Sequence, residues 1–121
     1  MADQEKIVIL ATHGPTSPEM ATIPFVMACA ALASDVEVVM GFQGDAVCLM
    51  HTGEAATVEA PGFPPLAKLI DDFRELGGTA LVCGPCAKSR HIEEALLPGA
   101  EIVAAARFVA EITSAKASLT Y

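Results

Sequence analysis

Hydrophobic residues are concentrated in short runs along the chain, and these runs have the length and composition of β-strands. They occur at residues 6–11, 36–42, 79–82 and 101–104, and residues 118–121 form a further strand-like segment at the end. Runs that are apolar at successive positions and rich in Val and Ile are typical of strands covered on both faces of a sheet. The pattern therefore predicts five short strands.

Helical patterns fill most of the segments between these strands. We predict helices over residues 18–34, from 64 or 65 to about 76, from 83 to about 97 and from 107 to about 115, with a short helix near 46–50 and a loop over 52–65. Ser17 and Pro18 suit the start of the first helix, whereas Pro24 inside it should introduce a kink or delay the start. Gly77 and Gly78 are suited to end the helix that precedes them.

The alternation of strands and helices predicts the fold class. We expect one α/β domain over residues 1–121, a three-layer α/β/α sandwich around a mostly parallel sheet of about five strands. Ligands of such sheets bind beyond the carboxyl ends of the strands. The loop at His13 and the turn at Cys83 both follow strands, so we expect the functional site where these two ends face the same side.

Charge and hydropathy exclude several classes of partner. The formal net charge of −8 argues against nucleic acid and against an anionic membrane surface, since both attract clustered Lys and Arg. The longest apolar stretch, residues 23–33, is interrupted by a proline and is shorter than the roughly 20 residues that cross a membrane. The amino terminus has no secretory pattern. We therefore predict a soluble, cytoplasmic protein without a membrane span.

The most informative chemical feature is the sequence CGPC that begins at Cys83, at a predicted strand-to-helix turn. Backbone N–H groups and the dipole at the start of a helix favour negative charge, and the thiolate is the reactive form of cysteine. We expect Cys83 to be the more exposed thiol and the nucleophile, and Cys86 to be its more buried partner. Gly84, Lys88 and Arg90 are the candidates for binding the anion. The alternative is that the pair packs as two small apolar residues.

Other residues that carry chemistry give weaker signals. His13 could orient or protonate a substrate sulfur near Cys83 if the two strand ends are adjacent, and a polar residue that caps a turn is the alternative. Asp45 fits a turn better than a role in the site, and Cys29 and Cys48 fit the core. One CxxC pair supplies only two of the four ligands of a structural zinc site, so we predict no metal. No phosphate-binding glycine loop is present, so we predict no cofactor.

CGPC is also the active-site tetrapeptide of thioredoxin, but the order of the elements differs. In thioredoxin-like domains the motif follows the first βα segment, and a cis-proline loop and further strands come after it. Here several strand–helix units precede Cys83, less than a third of the chain follows Cys86, and no Trp precedes the motif. The chain therefore does not have the layout of a thioredoxin fold.

The layout instead resembles the DsrE/DsrF-like family of small sulfur-relay proteins. The resemblance is carried by residues 7–15, 36–42 with 44–47, 81–90 and 118–121, and it lies in their order along nearly the whole chain. It implies an α/β/α sandwich that assembles into trimers, hexamers or mixed complexes. In several members a cysteine accepts sulfur as a persulfide. It lies just after the strand that corresponds to residues 79–82 and several residues before an arginine. Counted back from Arg90, this cysteine is Cys83. The chain departs from many relatives in having His91 where they have glycine, and a pair of cysteines where they have one.

The cysteine pair and the resemblance together give one leading hypothesis and two alternatives. The leading hypothesis is a sulfur carrier or sulfurtransferase that accepts sulfane sulfur as a Cys83 persulfide and passes it to a protein partner, with Cys86 assisting. Its partners would be sulfur donor and acceptor proteins, and it would form a homotrimer or homohexamer. The alternatives are a CxxC thiol–disulfide or peroxide-reducing oxidoreductase and a non-catalytic assembly subunit.

Overall fold

The computed structural model describes residues 4–121, and five parallel strands form its central sheet. The strands are β1 (Lys6–Ala11), β2 (Glu37–Phe42), β3 (Thr79–Cys83), β4 (Ala100–Val103) and β5 (Ala117–Thr120). Their order across the sheet is β4-β3-β2-β1-β5, and every neighbouring pair is parallel. The predicted α/β fold around a parallel sheet of five strands is confirmed.

Four α-helices connect the strands. They are α1 (Pro18–Ala33), α2 (Leu66–Glu75), α3 (Gly84–Ser89) and α4 (Ala105–Ser114), and two 3₁₀ helices span Gly44–Met50 and Ala55–Thr57. The predicted start of α1 at Pro18 is confirmed. The alternative of a later start caused by Pro24 is wrong, because the helix continues through this residue.

The two faces of the sheet carry cores of different size. Successive residues of a strand point to opposite faces, so Met40 and Phe42 face the larger core, which α1 and α2 cover, while Val39 faces the smaller one, which α4 covers. In the larger core the ring of Phe25 lies 5.7 Å from that of Phe42 and 5.7 Å from that of Phe73. The smaller core is built from Val8, Val39, Leu81 and Phe108.

The helix predicted from residue 83 to about residue 97 is wrong in its length. It ends after six residues, because the N–H of Ile92 donates to the carbonyl of Ala87 at 3.2 Å and the N–H of His91 donates to that of Lys88 at 3.1 Å. These two bonds form a Schellman C-cap, which requires a left-handed residue at the position of His91. The φ of His91 is +55°, so a histidine occupies a position where glycine is usual.

The chain beyond this cap pairs with the end of the first 3₁₀ helix instead of continuing as a helix. The N–H of Leu97 donates to the carbonyl of Met50 at 2.7 Å, and the N–H of Thr52 donates to that of Ala95 at 2.9 Å. The segment that follows β2 is therefore held beside the segment that follows β3. Within residues 4–121, no helix is long and apolar enough to cross a membrane.

Candidate functional site

The candidate site lies at the carboxyl ends of the three central strands. Because β1, β2 and β3 are parallel neighbours, the loops that contain His13, Gly44 and Cys83 leave the same edge of the sheet. The strands that carry His13 and Cys83 are not adjacent, since β2 lies between them. The loop after β2 is therefore the one that meets the cysteine pair.

Cys83 and Cys86 are free, half-buried thiols that are within hydrogen-bonding reach of each other. Cys83 is the last residue of β3 and the N-cap of α3, and Cys86 lies in the first turn of that helix. Interaction with Cys83 lowers the pKa of Cys86, whereas burial, followed by the interaction with Cys86, raises the pKa of Cys83. The arrangement favours a proton on Cys83 and a negative charge on Cys86.

The sulfur of Cys86 also accepts a hydrogen bond from the loop after β2. The backbone N–H of Gly44 donates to Cys86 Sγ at 3.3 Å. Gly44 has a φ of +55°, in the left-handed region that favours glycine. The backbone conformation of this residue directs its N–H at the sulfur.

Arg90 is the cation that contacts the backbone of the cysteine pair. Its Nη1 donates to the carbonyl of Cys86 at 3.2 Å, and its Nη2 and Nε donate to Asp45 Oδ1 at 2.8 and 3.3 Å. The half-buried guanidinium thus joins α3 to the first 3₁₀ helix. Its charge favours the thiolate forms of both Cys86 and Cys83.

These contacts change the two cysteines in opposite directions. The hydrogen bond from Cys83 lowers the pKa of Cys86 below the usual thiol value, and the N–H of Gly44 and the charge of Arg90 lower it further against the effect of burial. Burial raises the pKa of Cys83, and its hydrogen bond to Cys86 raises it further. The sequence predicts Cys83 as the more readily ionised thiol, whereas the contacts in the structure favour Cys86.

The remaining predicted site residues lie around the pair without contacting the sulfurs. His13 Nδ1 is 3.4 Å from Thr12 Oγ1, and within residues 4–121 no hydrogen bond joins His13 to either thiol. Lys88 is exposed at the surface. Gly84 packs against β4, where an added Cβ would lie 3.3 Å from the carbonyl oxygen of Val103. The structure therefore brings together Cys83, Cys86 and Arg90 among the predicted residues.

Two residues of the site were missed or given another role by the sequence. Asp45, expected as a turn residue, is the partner of Arg90, and Gly44, which the sequence analysis named only within the segment 44–47, donates to Cys86. The backbone of Gly14 supports this loop, because a Cβ there would lie only 2.5 Å from the carbonyl oxygen of Asp45. In the sequence, the local sign of the contact between these two loops is that a glycine follows each strand, Gly14 after β1 and Gly44 after β2.

The other two cysteines have ordinary structural environments. The thiol of Cys29 donates to the carbonyl of Leu69 at 3.5 Å, between α1 and α2. Cys48 is half-buried in the first 3₁₀ helix, and burial raises the pKa of both thiols. In the part of the chain that the structure describes, no cluster of three or more His, Cys, Asp or Glu residues could hold a metal ion.

The sequence model of the DsrE/DsrF-like family matches residues 5–121, which is nearly the whole chain. The chain belongs to the DsrE/DsrF-like family. The resemblance carried by the four segments is thereby confirmed. Membership indicates a sulfur-relay role at the level of the family.

Relatives and solved structures agree with this membership. An uncharacterized protein of Methanocaldococcus jannaschii, MJ0760, is 32% identical over 87% of this chain, which spans only 38% of the length of that protein. The crystal structure of the ychN protein from E. coli superposes with a TM-score of 0.82 over 98% of this chain and 100% of the other, at 23% identity. A conserved protein of unknown function from Bacteroides thetaiotaomicron, BT1422, gives a TM-score of 0.72 over 97% and 95% of the two chains, at 12% identity. At these identities the two structures support the DsrE-like fold.

Proposed function

We propose that this protein carries sulfane sulfur as a cysteine persulfide on the Cys83–Cys86 pair and passes it to a protein partner. One observation supports the proposal above the others. Two free thiols lie in one turn at the carboxyl edge of the sheet, beside a guanidinium and a backbone N–H. Positive charge and hydrogen-bond donors stabilise a thiolate, and they also suit the anionic persulfide.

The transfer itself needs no cofactor. A thiolate of the pair attacks the terminal sulfur of a donor persulfide, R–S–SH. The S–S bond of the donor breaks, a new S–S bond forms on the cysteine, and the donor leaves as the thiolate R–S⁻. A thiolate of the acceptor protein then attacks the terminal sulfur in the same way and regenerates the cysteine thiolate.

Arg90 is the residue that the proposal assigns to stabilising the anion. The roles expected for His13, Gly84 and Lys88 stay predictions, and each would act on the donor or the acceptor rather than on the resting thiols. Free thiols persist in reducing compartments, so the protein would act in the cytoplasm. Its partners would be proteins that supply and receive sulfur.

Intact-mass spectrometry after incubation with a small persulfide donor tests the proposal. We expect wild type and the Cys29→Ser control to gain the mass of one sulfur atom that a thiol reductant removes. The double variant Cys83→Ser/Cys86→Ser should gain none. Absence of the adduct on wild type, or an equal adduct on the double variant, would overturn the proposal.

A dithiol–disulfide oxidoreductase is the second candidate function. The position of two free thiols three residues apart, at the turn from β3 into α3, favours it, because such a CxxC pair can cycle between dithiol and disulfide. A redox titration distinguishes the two functions. A Cys83–Cys86 couple near the thioredoxin potential of about −270 mV, together with peroxide or disulfide turnover, would favour the oxidoreductase.

Assembly is the third part of the proposal. We propose a homotrimer or homohexamer, and the exposed apolar side chains of Ile102 on β4 and Val109 on α4 are candidates for contacts between subunits. Light scattering after size exclusion measures the oligomeric state. If the double cysteine variant keeps its assembly, its partners and its cellular role, the non-catalytic subunit is the better description.

A further inference from the structure

We propose that Cys86, rather than Cys83, is the thiol that attacks the sulfur donor, with the N–H of Gly44 and the guanidinium of Arg90 holding its negative charge. This inference rests on the proposed sulfur-carrier function and assigns its first step to one atom. It reverses the roles that the sequence predicts for the two cysteines.

The geometry at Gly44 is the first argument. Its N–H donates to Cys86 Sγ at 3.3 Å, across 42 positions of sequence, whereas the backbone group that lowers the pKa of Cys83 belongs to Cys86, in the same turn. A donor fixed in the backbone costs no side-chain entropy when the sulfur becomes charged. The contact therefore favours the anionic form of Cys86 wherever the loop keeps its conformation.

The charged groups around the sulfur are the second argument. Arg90 is fixed on one side by the carbonyl of Cys86 and on the other by Asp45, so its charge stays beside Cys86. Cys83 interacts with the sulfur of Cys86, and this interaction also lowers the pKa of Cys86. Cys48 interacts with Arg90 from the first 3₁₀ helix, and its raised pKa keeps it protonated and neutral. The carboxylate of Asp45, on the far side of the guanidinium, is paired with Arg90.

In the first step, Cys86 therefore acts as the attacking thiolate and Cys83 as a protonated thiol beside it. The thiolate of Cys86 attacks the terminal sulfur of R–S–SH, the S–S bond of the donor breaks, and R–S⁻ leaves. The product is Cys86–S–SH, which ionises more readily than a thiol. Cys83 remains protonated and can transfer its hydrogen bond to the new persulfide anion.

Alkylation of the reduced protein tests the assignment without any sulfur donor. Wild type is treated with iodoacetamide across a series of pH values, and each cysteine is quantified by peptide mass spectrometry. We expect Cys86 to be modified at lower pH and faster than Cys83, with Cys29 as an internal reference. Faster modification of Cys83 across the series would overturn the inference.

Variants at Gly44 test the backbone donor. Gly44→Asn keeps the N–H in place, because asparagine tolerates a left-handed conformation and its Cβ would meet no atom closer than the carbonyl oxygen of Thr12 at 3.7 Å. Gly44→Val cannot hold this φ without strain. We expect alkylation of Cys86 at neutral pH to be nearly unchanged in Gly44→Asn and to fall roughly three- to ten-fold in Gly44→Val, since its rate follows the thiolate fraction.

Folding must be separated from the effect on the sulfur. The alkylation rate of Cys29, which lies between α1 and α2, reports on general unfolding in each variant. A folded Gly44→Val protein with an unchanged rate at Cys86 would overturn the role of Gly44. If Gly44→Val does not fold, the wild-type alkylation series decides the assignment of Cys86 without it.

Persulfide loading of single variants completes the test. We expect Cys83→Ser to load sulfur and Cys86→Ser to fail, and the opposite result would overturn the inference. Cys83→Ala should alkylate at Cys86 more slowly than Cys83→Ser, because serine keeps a hydroxyl donor and alanine does not. If wild type alkylates first at Cys86 but never gains sulfur, the proposed function fails while the assignment of the lower-pKa thiol stands.

Discussion

Arg90 and Asp45 form an ion pair that fastens the helix after β3 to the loop after β2. Arg90 Nη2 and Asp45 Oδ1 are 2.8 Å apart, and the arginine Nε donates to the same oxygen at 3.3 Å. The third nitrogen of the guanidinium holds the carbonyl of Cys86. One side chain thus fixes the distance between Gly44, which donates to the cysteine sulfur, and the helix that carries this sulfur.

Substitution of Arg90 should lower the rate at which Cys86 is alkylated, because both its charge and its planar fork would be affected. Arg90→Gln removes the cation that lowers the pKa of Cys86, so we expect its pH profile of alkylation to move to higher pH and its rate at neutral pH to fall roughly three- to ten-fold. Arg90→Lys keeps the charge but not the planar fork. It should give an intermediate rate.

Arg74→Gln is the matched control for this change. Arg74 is an exposed arginine of α2 and loses the same unit of charge away from the site. Its pH profile at Cys86 should equal that of wild type. Equal profiles for Arg90→Gln and wild type would show that the arginine has only a structural role.

The sequence was sufficient to predict the fold because each local signal agreed with the tertiary structure. The strand at 6–11 has its predicted bounds, and α1 begins at Pro18, where proline suits the first turn. The parallel sheet follows from strands that alternate with helices. The exception is α3, whose stop signal is built with His91 instead of glycine, so the local sequence gave no sign of the cap.

Only the part of the site that lies within one short segment of the chain could be predicted from the sequence. The CGPC motif placed Cys83 at a strand-to-helix turn, which is correct. The choice between the two thiols depends on Gly44 and on the Arg90–Asp45 pair, which approach from other segments of the chain. Contacts between distant positions leave no periodic or compositional signal in one sequence. This is why the structure favours Cys86 where the sequence favoured Cys83.

His91→Gly should stabilise the protein. His91 has a φ of +55°, and a non-glycine residue in this region carries a conformational cost that glycine avoids. Glycine loses more entropy on folding, which offsets part of the gain. We expect the free energy of unfolding to rise by about 0.5–1 kcal/mol in urea denaturation.

His91→Ala is the control for the backbone conformation. Alanine removes the imidazole but keeps the Cβ, so it should give no stabilisation. Equal gains from glycine and alanine would attribute the effect to the imidazole and not to the left-handed cap.

The stability of the protein should decrease in acid because of Glu111. Lys6 Nζ lies 2.9 Å from Glu111 Oε1, and this bond, followed by that from Arg107, lowers the pKa of the carboxyl in the folded state. A lowered folded pKa contributes stability above the ordinary glutamate pKa, and the contribution is lost as the pH falls through the folded value. Glu111→Gln should cost on the order of 1 kcal/mol at neutral pH.

The comparison of the two proteins across pH is the measurement. The difference in the free energy of unfolding between wild type and Glu111→Gln should shrink as the pH falls from neutral into the acid range below the ordinary glutamate pKa. Glu59→Gln, at an exposed position, should show no such pH-dependent difference. A constant difference for Glu111→Gln would exclude the ion pair as its source.

Gly41 and Phe108 should be energetically coupled across the smaller core. A Cβ at Gly41 would lie 2.5 Å from Phe108 Cε1 and 2.8 Å from Leu10 Cδ2, so Gly41→Ala forces the ring of Phe108 to move. Overpacking of this kind costs about 1–3 kcal/mol. Because Phe108→Leu vacates part of the space, the double variant should lose less stability than the sum of the two single variants.

A double-mutant cycle measures this coupling in urea, and Gly78→Ala provides the matched control. A Cβ at Gly78 would lie 2.2 Å from Phe73 Cε1, which belongs to the larger core on the other face of the sheet. Gly78→Ala combined with Phe108→Leu should therefore be additive to within about 0.5 kcal/mol. If the Gly41→Ala/Phe108→Leu pair is equally additive, the ring of Phe108 does not set the space at Gly41. The packing of α4 on the sheet would then tolerate a side chain at Gly41, near the end of β2.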